Sequence, residues 1–453
     1  ESALMSGGGI GVDYSRYRPS GSTIRRTGGS ASGPLPKMLM INEIGRRVMQ
    51  GGSRRSAIYA SLNWKHQDIP QFLAIKNWDK TKVPGTDKTL KDLKELDFDW
   101  PAPLDMTNIS VNYDTEWLIN FMKSGDVGSV FKQNVIQAMS TGEPGFSFNF
   151  FDKENETLRN ACTEVTSEDD SDVCNLGSIN LSRVSNLDEL RDVVHLGTLF
   201  LLCGTLRAQL PYDKVYAVRE KNRRLGLGLM GVHEWLLQRG YRYECTDELK
   251  QWLSVYRGVS DSTSRGGAIR LAVSQPVAVR SIAPTGSIGI LAGTTTGIEP
   301  VYAVAYKRRY LKGTRWHYQY QIDHAAQQII ESTGIAPERV ESAIDLAADY
   351  ERRIKFQADV QDFVDMSISS TINLPQWGTE LNNEGLVDHF AATLAKYASR
   401  IRGFTCYPDG ARGGQPLVSV PYSEAKEGLG TEFEEGLVMN DVCLITNSGY
   451  CGS

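Results

Sequence analysis

Asn160-Ala161-Cys162-Thr163-Glu164 sets an amide, a thiol and a carboxylate two residues apart, and a second thiol follows in Val173-Cys174-Asn175-Leu176-Gly177-Ser178-Ile179-Asn180-Leu181. In extended backbone, side chains two apart share a face. The spacing therefore predicts that Asn160, Cys162 and Glu164 point together at one ligand. They offer a hydrogen-bonding amide, a sulfur able to lose one electron and a proton acceptor. Taking a hydrogen atom from an unactivated carbon and then expelling a neighbouring hydroxyl needs all three. A cysteine in an apolar segment is ordinarily a small buried hydrophobe, so the pentapeptide gains weight only from its surroundings.

Ala283-Pro284-Thr285-Gly286-Ser287-Ile288 follows a strand-like run, Val279-Arg280-Ser281-Ile282, and precedes a helical turn. Backbone N–H groups at a helix start, with Thr and Ser hydroxyls, suit a phosphate; an ordinary helix cap would read the same way. Arg54 and Arg55, in Gln50-Gly51-Gly52-Ser53-Arg54-Arg55-Ser56, are placed to grip a phosphate or base. Gly226-Leu227-Gly228 lacks the remainder of a dinucleotide fingerprint. Cys443 and Cys451 suit a mobile dithiol that exchanges with a buried disulfide. With six histidines and no Cys/His set at zinc spacing, no metal site is expected within the chain. Gly449-Tyr450 lacks the Arg-Val that precedes a glycyl-radical site.

These residues need a frame. Residues 7–34 are rich in Gly, Ser and Arg, and a helix is expected over 38–49. Short apolar runs (57–62, 109–112, 145–150, 176–181, 224–229, 279–283, 368–374, 402–407) alternate with helical segments (114–123, 187–209, 246–272, 318–333, 380–399). That alternation implies parallel β-structure wrapped by helices. No sequence repeat indicates a solenoid.

At 453 residues with a net charge of −5, the chain can bury a large core and lacks the basic footprint of a nucleic-acid binder. Seven irregularly spaced cysteines do not form a disulfide framework and point to a reducing compartment. No apolar run is long enough to span a membrane. A cytoplasmic protein is expected, in the host cytoplasm if phage-encoded.

The ordered set of N-x-C-x-E, Val-Cys-Asn-Leu-Gly-Ser-Ile-Asn-Leu, Asn222-Arg223-Arg224-Leu225-Gly226-Leu227-Gly228, Ile282-Ala283-Pro284-Thr285-Gly286-Ser287 and Ser370-Thr371-Ile372-Asn373-Leu374-Pro375 resembles the catalytic (large, α) subunit of ribonucleotide reductase. The resemblance runs from Gly7 to Cys451, and the compact form looks most like reductases of marine phages. It implies a ten-stranded α/β barrel of two antiparallel, five-stranded parallel halves over 1–423, with a central finger loop bearing the radical cysteine. A flexible redox tail would occupy 424–453. By resemblance, Cys162 is the thiyl that takes the ribose 3′-hydrogen, Glu164 accepts the 3′-hydroxyl proton and Asn160 binds the ribose hydroxyls. Cys174 is one reducing thiol, recharged through Cys443 and Cys451. Pro284, Thr285, Gly286 and Ser287 hold the substrate phosphates. Residues 16–33, with Arg16, Arg18 and Arg25, belong to an effector site; Gln50, Gly51, Gly52, Arg54 and Arg55 lie on the loop linking effector to substrate base.

The implied ligands are a ribonucleoside diphosphate and a dNTP effector with Mg2+. A thioredoxin- or glutaredoxin-type dithiol is the external reductant, and the implied assembly is a homodimer. Three departures stand out. No cysteine precedes Cys162 as partner for Cys174, so the strand that carries it in the family is expected to be missing from this sequence. No ATP-binding regulatory domain is expected, and Ser370 stands where Lys is common. Near the last barrel strand the sequence reads Thr405-Cys406-Tyr407-Pro408-Asp409-Gly410, with one tyrosine rather than an adjacent pair. We expect the radical to come through Tyr407 from a ferritin-like, metal-bearing small subunit, with adenosylcobalamin as the alternative. A non-catalytic nucleotide-binding protein is the remote alternative.

Overall fold

Short apolar runs without helical spacing become the strands that frame the site: β1 (Ile10–Asp13), β2 (Ile58–Asn63), β3 (Thr107–Tyr113), β4 (Gly145–Phe148), β5 (Asn175–Asn180), β6 (Leu225–Met230), β7 (Thr371–Leu374) and β8 (Gly403–Pro408). The computed structural model describes residues 2–5, 7–50, 54–97, 99–312, 315–411 and 417–437. β4 and β6 are buried at every position and β2 at all but its last. Strands of a parallel sheet covered on both faces show that pattern.

β1, β2, β3 and β4 run parallel in sequence order. β8 then joins β4 antiparallel through Gly403 opposite Ser147 and Phe404 opposite Phe146, and β7 lies parallel to β8. β5 pairs parallel with β6. Isolated parallel bridges from Leu227 to Arg280 and from Ile282 to Ile368 carry the second half onward toward β7. Two parallel halves therefore meet at an antiparallel joint. Among the described residues the sheets do not close into a ring, so the α/β fold is present while the expected count of ten strands is not observed.

Helices cover both halves. Asp114 caps Thr115–Ser124 by accepting from Trp117 N–H, Asn186 caps Leu187–Arg207 through two N–H groups, and Thr246 caps Asp247–Arg270 through Leu249 N–H. Such caps satisfy donors that the first helical turn leaves open. One core joins β2, β3, β4 and β8 to their helices around Tyr113, Trp117, Phe131, Phe146 and Phe148. A second packs Leu187–Arg207 and Asp247–Arg270 onto β5 and β6.

Two expectations need correction. The helix anticipated over 318–333 begins only at His324. The preceding Arg315–Ile322 is a strand, hairpinned to Ala305–Lys312, with Tyr318 stacked on Phe433 and edge-on to Tyr320. Of the tail anticipated over 424–453, residues 424–437 are described and 438–453 lie outside the described residues. Tyr422–Gly428 is helical, and Glu432–Leu437 pairs antiparallel with Arg315–Gln319, where Glu432 meets His317 at 3.1 Å.

Candidate functional site

The segment 159–164 lies against β1 and β8, beside Gly11 and Gly403. Gly11 on β1 makes room for it: a Cβ there would stand 1.4 Å from the carbonyl oxygen of Arg159. Asn160, Cys162 and Glu164 lie on and beside one tight turn, not as three side chains of one extended face. Thr163 N–H bonds back to Asn160 O at 3.0 Å, and Thr163 adopts φ 68°, so the chain reverses at the cysteine. A β-turn breaks the two-residue alternation on which the extended expectation rested. Cys162 stands exposed at the tip, while Glu164, two residues on, is only 2% exposed.

The turn is held by its carbonyls. Asn108 Nδ2 donates to Ala161 O (2.8 Å), Arg159 Nη1 to Thr163 O (3.0 Å), and both Ser367 N–H (2.8 Å) and Ser281 Oγ (2.9 Å) to Glu164 O. Asn160 Oδ1 accepts from Val165 N–H at 3.1 Å. Among the described residues Glu164 Oε2 has no hydrogen-bond partner. Burial raises the Glu164 pKa above the usual carboxylate range, partly opposed by hydrogen bonds from its own backbone and Asn160. A buried carboxylate with a raised pKa and an oxygen left over is equipped to accept a proton.

Cys174 immediately precedes β5, beside the same carboxylate. Burial pushes its thiol pKa up, opposed by Arg224 and reinforced by Asp172 and Glu164. It is therefore a neutral thiol at physiological pH, suited to delivering hydrogen. Gly226 on β6 gives it space: a Cβ there would lie 3.0 Å from Cys174 Sγ.

Pro284 and Thr285 form the turn before helix Gly286–Ala292. Thr285 is buried at φ 53° and its Oγ1 accepts from Gly297 N–H at 2.8 Å, so this hydroxyl holds the turn. Gly286 and Ser287 are exposed at the helix start. Arg16, Arg18 and Arg25 are exposed on the loop following β1, which is pinned by Asp68 to Ser20 N–H and by His66 to Tyr17 O. Met49–Gln50 pairs antiparallel with Arg54–Arg55, so Gln50, Arg54 and Arg55 flank a hairpin; Gly51 and Gly52 lie outside the described residues, as do Cys443 and Cys451. Tyr407 is half-buried on β8, sharing the strand face of Gly403, where a Cβ would lie 3.5 Å from Thr163 Oγ1. Cys406 faces the opposite way into the core.

Comparison with known proteins fits this arrangement. The sequence profile described as "Ribonucleotide reductase, barrel domain" matches residues 2–96, 104–254 and 276–395. The chain belongs to the ribonucleotide reductase family. It is 28% identical to a vitamin B12-dependent ribonucleoside-diphosphate reductase of Mycobacterium tuberculosis (strain CDC 1551 / Oshkosh), covering 95% of this chain and 68% of that protein. A putative adenosylcobalamin-dependent ribonucleoside-triphosphate reductase of Mycobacterium phage D29 is 27% identical over 66% of this chain and 47% of its own length. A ribonucleoside-diphosphate reductase subunit alpha of Synechocystis sp. (strain ATCC 27184 / PCC 6803 / Kazusa) is 25% identical, covering 68% of this chain and 51% of that protein.

Two solved structures share the fold. A B12-dependent (class II) ribonucleotide reductase superposes with TM-score 0.64 at 16% identity, covering 90% of this chain and 61% of that one. The class Id α subunit of Actinobacillus ureae gives TM-score 0.64 at 18% identity, covering 90% and 79%. The chain spans about two thirds of the Mycobacterium tuberculosis relative and about half of the Mycobacterium phage D29 and Synechocystis relatives.

Sequence reasoning missed what holds the reductase turn: Asn108, Arg159, Ser281 and Ser367 act through backbone carbonyls, and no motif spacing announces such contacts. The glycines at 11 and 226 were visible as residues, but the close approaches they permit were not.

Proposed function

We propose that this chain is the catalytic subunit of a ribonucleotide reductase that replaces the ribose 2′-hydroxyl with hydrogen. The observation that carries the reading is the clamped turn, which bears an exposed thiol and, two residues on, a buried carboxylate of raised pKa. A thiyl on Cys162 takes the 3′-hydrogen atom and returns it at the end. Glu164 accepts the 3′-hydroxyl proton while the 2′-hydroxyl leaves as water. Asn160 binds the ribose hydroxyls. Cys174 and a second thiol supply two electrons and two hydrogens, and become a disulfide. An external thioredoxin- or glutaredoxin-type dithiol recharges it through Cys443 and Cys451.

The substrate phosphates sit at the start of helix Gly286–Ala292, with Pro284, Thr285, Gly286 and Ser287. Effector dNTP with Mg2+ binds at the loops bearing Arg16, Arg18, Arg25, Gln50, Arg54 and Arg55, in a homodimer. We take the substrate to be a diphosphate, as in the names of the Mycobacterium tuberculosis and Synechocystis relatives.

The similarity to B12-dependent relatives favours adenosylcobalamin as radical source over the small subunit preferred from sequence. Tyr407, on the β8 face that leads to Thr163, favours the partner-subunit form and is the second reading. Either source would supply the one-electron oxidation of a thiol, and the exposed tip position of Cys162 suits an incoming radical. The test is deoxynucleotide formation from CDP with a dithiol and each radical source in turn. Cys162→Ser should abolish product while CDP binding persists, because an alkoxyl radical is not formed where a thiyl is. Turnover of the Ser variant within tenfold of the parent overturns the assignment.

A further inference from the structure

Arg159 has no part in the chemistry above, yet its side chain is 3% exposed and bonded throughout. Nε donates to Ser147 Oγ at 2.9 Å, and Nη2 to Asn149 Oδ1 at 3.1 Å and Arg402 O at 2.6 Å. Nη1 donates to Thr163 O at 3.0 Å. Ser147 lies on β4 with Asn149 just beyond it, and Arg402 immediately precedes β8. One planar fork therefore spans the antiparallel joint and ends on the turn that carries Cys162.

Every one of those acceptors is a neutral oxygen. Burial lowers the Arg159 pKa to about 10, with Tyr59 and Glu156 opposing the shift and Arg402 adding to it. A buried cation is a poor device for stability alone, since an apolar side chain of similar volume often does as well or better. What a guanidinium adds is several donors in fixed directions. Thr163 needs such a hold. It is β-branched at φ 68°, where side chains of that kind are disfavoured. Its carbonyl is fixed by Arg159, and its neighbour is the exposed thiol.

We propose that Arg159 is a positioning residue: it sets the place of the Cys162 sulfur by holding the Thr163 carbonyl, and does not itself touch the nucleotide. This rests on the reading of Cys162 as the hydrogen-atom abstractor.

The test uses Arg159→Lys, which keeps a cation and loses the fork, in the full chain. Two readouts are taken. The first is alkylation of Cys162 by iodoacetamide, read on its own peptide by mass spectrometry, with exposed Cys203 as internal reference. The second is kcat and KM for CDP reduction with the radical source that supports the parent chain. A released turn should alkylate at least about fivefold faster at Cys162 with Cys203 unchanged. It should also lower kcat about 10- to 100-fold with KM within about threefold, the scale expected when a reacting group shifts by an ångström. An unchanged Cys162 rate, or a kcat within threefold of the parent, overturns the proposal. So does faster alkylation of both cysteines with a matching fall in melting temperature, which marks Arg159 as a general structural residue. If the parent chain itself makes no deoxynucleotide with either radical source, the functional reading falls, and the alkylation comparison alone still decides whether Arg159 holds the turn.

Discussion

Glu164 shows how one buried atom couples chemistry to stability. Its pKa is raised in the folded chain because burial disfavours the carboxylate. The folded state therefore holds its proton to higher pH than the unfolded state does. Stability from this group is complete below the unfolded value of about 4.3 and is lost as pH rises through the raised folded value. Glu164→Gln should be more resistant to thermal unfolding than the parent near pH 7, with the difference shrinking toward pH 4. The same variant should bind CDP yet turn over far more slowly, since an amide accepts no 3′-hydroxyl proton. A melting difference independent of pH would contradict the account. Asn160, Cys162 and Glu164 were singled out in the sequence by their types and spacing together with the family motifs around them. Their geometry was not, because a turn closed by a threonine in the left-handed region leaves no periodic trace.

At the scale of elements, strands and turns place the site by what they leave out. Gly11→Ala would drive a methyl into the Arg159 carbonyl, and such crowding typically costs 1–3 kcal/mol, occasionally more. We expect a lower melting temperature together with a fall in kcat, measured by calorimetry and by product formation. A variant that melts and turns over like the parent would show that β1 yields without moving the cysteine turn.

The turn before helix Gly286–Ala292 divides its two hydroxyls. Thr285→Ala removes the acceptor for Gly297 N–H and should destabilise the fold by about 1–3 kcal/mol. Ser287→Ala, at an exposed position, should leave stability alone and weaken CDP binding by about 0.5–1.5 kcal/mol. Titration calorimetry showing unchanged affinity for the Ser287 variant would reduce this turn to a helix cap.

Of the eight strands that frame the site, all but β1 were legible as short apolar runs, since parallel strands buried on both faces are largely apolar. Tyr350–Gln361 was not anticipated as a helix. It buries Arg353, Gln357, Asp359 and Gln361 alongside its apolar residues, so no polar face repeats at helical spacing. Gln357 turns that burial to use by donating to Gly403 O at 2.7 Å.

At the scale of the whole molecule, the radical source is a question about what lies beyond the chain. Tyr407 stands on the face of β8 that leads through Gly403 to the turn, and Gly142 leaves its ring edge room, at 3.7 Å from a notional Cβ. Tyr407→Phe should be nearly silent in an assay driven by adenosylcobalamin. It should abolish activity driven by a radical subunit, because phenylalanine has no O–H to oxidise. Loss of activity in the cobalamin assay would overturn the preference for that cofactor.

The antiparallel joint that unites the two halves also sets a schedule. Arg159 finds its acceptor at Arg402 243 residues further along the chain, and β4 meets β8 across a comparable stretch. A ribosome adding 5–20 residues per second needs roughly 12–50 s to cross that interval. Through that time the nascent chain carries an arginine without its final acceptor and a strand edge without its neighbour, the kind of surface that chaperones bind and that other nascent chains can capture. The cysteine turn is encoded early and completed late, so the yield of active enzyme in a cell depends on how well the first half is sheltered until the last strand emerges.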